Sequence, residues 1–177
     1  MTRSEHFQLM ARYNQWMNDK LYCAVASLSD QQLRADNKAF FGSVFNTLNH
    51  IVVADIIWLK RFAQHPVDWQ ALLPISALAD PQGLTHEQFQ SFGELTRHRQ
   101  MLDQLIIDWT VELSDADLDV TLQYVNTAGV QGRRNFYALL THFFNHQTHH
   151  RGQASTLLSQ AGIDIGVTDL LALVPNE

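Results

Sequence analysis

The sequence predicts an all-α fold, a four-helix bundle formed by a single domain over residues 1–177, and three observations carry that prediction. Apolar residues recur every three or four positions along four long segments, which is the period of an amphipathic helix. Only four prolines occur, and three of them fall within residues 66–84, outside those segments. The chain is 46% hydrophobic over 177 residues, enough for one substantial core. The expected topology is an up-down bundle with an extended or short-hairpin crossover before the last helix.

The first helix opens at Thr2-Arg3-Ser4-Glu5, which has capping-box spacing. Phe7, Met10, Tyr13, Met17, Leu21, Ala24 and Leu28 then form its apolar stripe. Ser29-Asp30-Gln31-Gln32 repeats the spacing and caps a short helical turn ending near Asp36, followed by a linker from Asn37 to Gly42. A second long helix starts near Ser43 and runs to about His65, where Pro66 stops it. Val44, Leu48, Ile51, Val52, Ile56, Leu59 and Phe62 leave it little polar surface, so much of its circumference is expected to be buried. His50 is the one imidazole inside it and shares a stripe with Asn46, Ala54, Ile57 and Arg61.

Residues 66–84 read as a loop with at most a helical turn. Thr85-His86-Glu87-Gln88 then caps a third helix, with Phe89, Phe92, Leu95, Leu102, Leu105, Ile106, Trp109 and Leu113 on its core face and an end near Ser114. Val120 to Val125 alternates weakly, and Asn126 to Gly132 is turn-like, so the pair predicts a small hairpin or an extended crossover. The fourth helix runs from near Asn135 to Gly162. The mostly apolar tail, Ile163 to Glu177, is expected to pack against the bundle or a second subunit.

The formal charge is −6 and no basic cluster interrupts it, which argues against a nucleic-acid partner held by phosphate neutralisation. Cys23 is the only cysteine, so no intramolecular disulfide can form and a reducing compartment is the simple reading. The N-terminal residues contain no secretory-type apolar run, and no stretch reaches the roughly 18 apolar residues that span a bilayer. A cytoplasmic protein with no membrane partner is therefore expected.

The stretch around which the chain is organised is Asn145 to Gln153, which holds three of the nine histidines. At about 100° per residue, Leu139, Phe143, His146, His150 and Leu157 share one narrow stripe. His142 and His149 sit on its shoulder. A lone histidine on such a face is ordinarily a hydrogen-bonded core residue. Two of them one turn apart are harder to satisfy, because each brings a donor and an acceptor into the interior. Such a pair can instead share one cation, which then needs a third ligand. His50 can supply it only if the second and fourth helices are neighbours.

Tyr13 to Asn18, Ser43, Thr47 to His50, Asp55, Trp58 and Arg61 together resemble the DinB/YfiT-like family of small bacterial metal-binding helical bundles. The resemblance peaks at Asn145 to Gln153, which looks like the family's H-x-x-H-H-R-G-Q, and continues to Gly162 and Asp169-Leu170. It implies one divalent metal, zinc or nickel with iron or manganese as alternatives, held by His50, His146 and His150 with further positions open. His149 is then a neighbour of the site or solvent-facing, and His142 a neighbour or an alternative ligand. Arg151 positions an anionic substrate, pairs with Asp55 or serves the helix end. Gln153 hydrogen-bonds near the site, and Asn14 is a buried polar residue with no assigned duty.

Three nitrogens with open positions describe a reactive centre better than a closed structural one. The family includes transferases that use low-molecular-weight thiols, members described as hydrolases, and many with no known reaction. The expectations are therefore a thiol-dependent S-transferase first, a metal-dependent hydrolase second, and a non-catalytic metal-binding stress-response protein third. A small-molecule substrate and a homodimer complete them.

Overall fold

The computed structural model describes residues 1–176, and its helices begin where side chains satisfy their first free N–H groups. Helix α1 spans Arg3–Val25, with Thr2 and Glu5 forming a full capping box, and α2 spans Asp30–Arg34, capped the same way by Ser29 and Gln32. Ser43 caps α3, Val44–Phe62, by accepting from the Asn46 N–H. Ser91 caps α4, Phe92–Glu112, through Glu94, and Asn135 caps α5, Phe136–Gln160, through Ala138. Strands β1, Thr121–Val125, and β2, Gln131–Asn135, pair antiparallel, so the expected connection is a hairpin.

Four long helices pack as a bundle in the ring order α1, α4, α3, α5. Side-chain pairs fix their directions. Arg3 reaches Asp119, just beyond α4, while Asn14 and Asn18 meet Asp103, so α1 and α4 are antiparallel. His50 meets His146 and Phe62 meets Phe136, so α3 and α5 are antiparallel too. Asp55 pairs with Arg99 and Phe62 stacks on Trp109, which makes α3 and α4 parallel. The up-down alternation of the sequence reading is thus resolved as up, down, down, up. The reason is the long α3–α4 connection, which runs back along the bundle before α4 begins.

That connection also carries the main boundary correction. The third long helix starts at Phe92, not at the Thr85 cap expected from sequence. Residues 84–88 are instead tied to α3: Asn49 Nδ2 donates to the His86 carbonyl and Asn49 Oδ1 accepts from the Gln88 N–H. The earlier part of the connection forms a 3-10 helix over Gln70–Ala77, and α3 itself ends at Phe62, short of His65. In the tail, Tyr13 donates to the Thr168 carbonyl and Lys20 to the Val167 carbonyl, so its first half lies on its own bundle. Glu177, the last residue of the expected tail, lies outside the described residues.

The core holds two kinds of matter. Phe45, Leu48, Phe62, Leu102, Ile106, Trp109, Phe136, Leu140 and Leu158 fill it with apolar volume. Across its middle runs an ionic layer of Asn14, Asn18, Asp55, Arg99, Asp103, Gln147 and Arg151, all buried. Arg99 lies 2.5 Å from Asp55 and 3.0 Å from Asp103, and Gln147 donates to Asp55 at 2.8 Å. Arg151 donates to Asn14, which in turn donates to Asp103. Burial pushes the Asp103 carboxyl up to about 6, against the opposing pull of Arg99.

Candidate metal centre

Three imidazoles meet near the N-terminal end of α3. His50 comes from α3, while His146 and His150 stand one turn apart on α5, which runs antiparallel beside it. The adjoining flank of α5 buries Gln147 and Arg151 in the ionic layer, and Ala154 and Leu158 in the apolar core. Fixing those residues fixes the rotation of the helix, which turns the His146/His150 stripe toward α3.

The Nε2 atom of His146 lies 3.3 Å from that of His50 and 3.1 Å from that of His150. Tautomers follow from the other ring nitrogens. His50 Nδ1 is 2.8 Å from the Leu84 carbonyl, which can only accept, so the proton sits on Nδ1. His150 Nδ1 is 2.8 Å from Gln153 Oε1, again an acceptor. Both rings therefore turn an Nε2 lone pair toward His146. One proton on His146 Nε2 can answer only one of them, so as a purely hydrogen-bonded cluster the triad leaves an acceptor facing an acceptor in a buried setting.

A cation resolves this conflict. Zinc bonded tetrahedrally to nitrogen at 2.0–2.1 Å places neighbouring nitrogens about 3.3 Å apart, which suits the observed spacings. The donor set is three neutral nitrogens, all within 4.8 Å of one another. Burial lowers the pKa of each ring; that of His146 falls to about 3, from burial first and then from His150 and His50. Metal binding thus meets little competition from protons near neutral pH. The residues present fit one divalent ion, and the Leu84 and Gln153 acceptors are the partners that hold ligand imidazoles in orientation.

The other sequence candidates separate into two groups. Gln153 is at the site, bridging His150 to His149, whose Nε2 it reaches at 3.2 Å. His149 is exposed and outside the cluster. His142 stands edge-on to Trp58, with its ring centroid 5.9 Å from that of His146, and is likewise outside it. Asn14, Asp55 and Arg151 belong to the ionic layer. The anticipated Asp55–Arg151 ion pair does not form, because Arg99 occupies Asp55 and Arg151 turns to Asn14 and Thr148.

Two contributors escape the sequence reading. Phe41, placed in a linker, stacks on His50 with ring centroids 4.1 Å apart and meets His150 edge-on at 5.4 Å. The Leu84 carbonyl comes from a segment read as loop. Neither carries a sequence signal, since a backbone acceptor has no residue type and Phe41 resembles any loop aromatic.

Fold and site together define a helical bundle with a three-histidine centre suited to one divalent metal. The DinB family profile matches residues 1–175, and the chain belongs to the DinB family. It is similar to Protein DinB of Bacillus subtilis (strain 168), at 26% identity over 161 residues, covering 89% of this chain and 87% of that one. No solved structure matches it significantly.

Proposed function

We propose that His50, His146 and His150 hold one divalent metal, zinc or nickel, at which a low-molecular-weight thiol is activated for transfer to an electrophilic small molecule. The observation that carries this reading is the convergence of three Nε2 atoms, two of them fixed as lone pairs by Leu84 and Gln153. When bound, such an ion supplies a Lewis-acidic centre that lowers the pKa of a thiol or a water molecule. The protein's own part is to orient the imidazoles and to shield one side of them with the Phe41 ring. Transfer would join the thiol sulfur to the electrophilic carbon as the leaving group departs with its bonding pair and the thiol proton passes to solvent. Sulfur is favoured over water because the carboxylate nearest in sequence to His50, Asp55, is buried in the ionic layer with its Oδ2 on Arg99 and Gln147.

Reconstituted protein, screened with several thiols against a chloro-dinitroarene, should form thioether only when both metal and thiol are present. Efficient ester or amide hydrolysis without thiol would favour the hydrolase, and tight metal binding with neither activity would favour a non-catalytic metal-binding role in stress response.

A homodimer is part of the same proposal. Val167, Leu171 and Val174 expose 58%, 77% and 42% of their surfaces along the tail, which gives a second copy an apolar strip to cover. Among the described residues, no helix is long and apolar enough to cross a membrane.

A further inference from the structure

Four arginines are withdrawn from full exposure: Arg34, Arg61, Arg99 and Arg151. Arg34 pairs with Asp30 and Glu87, Arg99 with Asp55 and Asp103, and Arg151 with Asn14. Arg61 alone donates no hydrogen bond and enters no ion pair among the described residues, although burial draws its pKa down. An arginine that keeps a flexible stem near water usually needs no partner. Arg61 differs because its guanidinium is held. It lies 4.7 Å over the Trp58 ring and 5.2 Å from the Tyr124 ring, and those two rings meet edge to face at 5.4 Å.

The holder is itself built. Tyr124 lies flat across Gly132 of the partner strand, where an added Cβ would stand 2.7 Å from its Cζ. Trp58 is anchored at the other side against Phe62. The cradle also adjoins the metal centre: Trp58 touches His142 edge-on at 5.1 Å, and His142 is the next imidazole before His146 on α5. His50 and Arg61 are eleven residues apart on one stripe of α3, about 16 Å along the axis. Helical side chains lean toward the N-terminus, at His50 as at Arg61, so their axial separation stays close to that figure.

Resting on the metal-centre reading, we propose that Arg61 is the anion-recognition arm of the substrate cleft. It receives a carboxylate or phosphate on the small molecule whose reacting end lies at the triad, on the order of 15 Å away. A planar guanidinium fixed between two rings has lost its flexibility in advance, and its free N–H groups match the oxygens of either anion in pairs. Tyr124 also walls a neighbouring groove of about 460 Å³ with Gln64, Gln131 and Arg133.

The test uses the full-length ¹⁵N-labelled protein, first without metal, following the Arg61 Nε–Hε resonance assigned through Arg61→Lys. Titration with inorganic phosphate and with glutarate should move that resonance and saturate at millimolar concentration, whereas chloride at matched ionic strength should not. A response to phosphate alone assigns a phosphate ligand and a response to glutarate alone assigns a carboxylate; either supports the proposal. An Arg61 resonance unmoved by both anions at tens of millimolar, or moved equally by chloride, overturns it whether or not the triad binds metal. In zinc-loaded protein, a mercaptocarboxylate should bind at least about tenfold more tightly than the mercaptoalcohol of equal length. That preference should vanish in Arg61→Gln and survive in part in Arg61→Lys. Equal binding of the two thiols to the unsubstituted protein would separate Arg61 from the cleft and overturn the arm.

Discussion

Helix α5 presents polar residues to the interior on two flanks, and the two clusters they join obey opposite rules. Gln147 and Arg151 enter a layer in which charges answer one another: Arg99 lies between Asp55 and Asp103, while Asn14 receives from Arg151 and donates to Asp103. His146 and His150 enter a cluster that contains no carboxylate, in which two lone pairs face a third nitrogen. The first cluster is balanced in charge by residues the chain already contains, although Asp55 Oδ1, Arg99 Nε and Nη2, Asp103 Oδ2 and Gln147 Oε1 have no hydrogen-bond partner. The second is completed by something the chain does not contain. Buried polar groups therefore point to a ligand when no opposite charge answers them and two acceptors are left facing one nitrogen, which is what separates His150 from its neighbour Arg151.

The largest expected effect breaks the ionic layer. Arg99→Met leaves Asp55 and Asp103 buried without their partner and should cost about 3–5 kcal/mol in urea unfolding. An unchanged midpoint would show that the layer does not hold the fold. Breaking the triad should do the reverse. His146→Ala should weaken zinc by well over ~100-fold, the upper range for losing merely a supporting partner, while the helical circular dichroism stays that of the parent. Equilibrium dialysis with a chromophoric chelator reads the first, and a collapse of helicity would place the triad in the structural class with Arg99.

Acid titration sharpens the contrast. His146 titrates at about 3 in the folded chain against an ordinary 6.5, so the unfolded chain binds protons that the folded one refuses. Metal-free protein should lose stability from this residue as pH falls below about 6.5, and His146→Ala should lose less over that range. Asp103 has the opposite sign. Its folded value, about 6, stands above 3.8, so it favours the folded chain at low pH and withdraws that support as pH rises from about 4 to 6. Stability curves that match in parent and His146→Ala across pH 4–6.5 would contradict the assignment of His146 as a half-buried neutral ring.

A smaller effect concerns assembly: light scattering at micromolar concentration should give a dimer mass, and Leu171→Asp should shift it toward monomer. A monomer mass for the unsubstituted chain would remove the second subunit from the proposal.

Much of this was legible from residue order. The capping boxes at Thr2 and Ser29 and the start expected near Ser43 set three helix starts, and the 100° stripe placed His146 and His150 together on the inward face. The ionic layer carried a signal that went unused, since Arg99 and Asp103 fall on the same face of α4 as Leu95, Leu102 and Ile106. The false helix start at Thr85 shows the limit of local rules. Its capping pattern is genuine in sequence, but Asn49 claims the backbone of His86 and Gln88, and a tertiary contact outweighs a cap. Phe41 and the Leu84 carbonyl reach His50 only through the folded path of two connections, which no periodicity encodes.

The central claim is that His50, His146 and His150 form the metal site, and its sharpest test lies in the adjacent pair His149 and His150. Metal content per chain should be measured after cobalt loading and gel filtration, together with the visible spectrum, for the parent, His149→Ala and His150→Ala. One ion per chain with a ligand-field spectrum is expected in the parent and in His149→Ala, and neither in His150→Ala. Loss of the ion in His149→Ala with retention in His150→Ala, or a parent that retains no ion, would contradict the account.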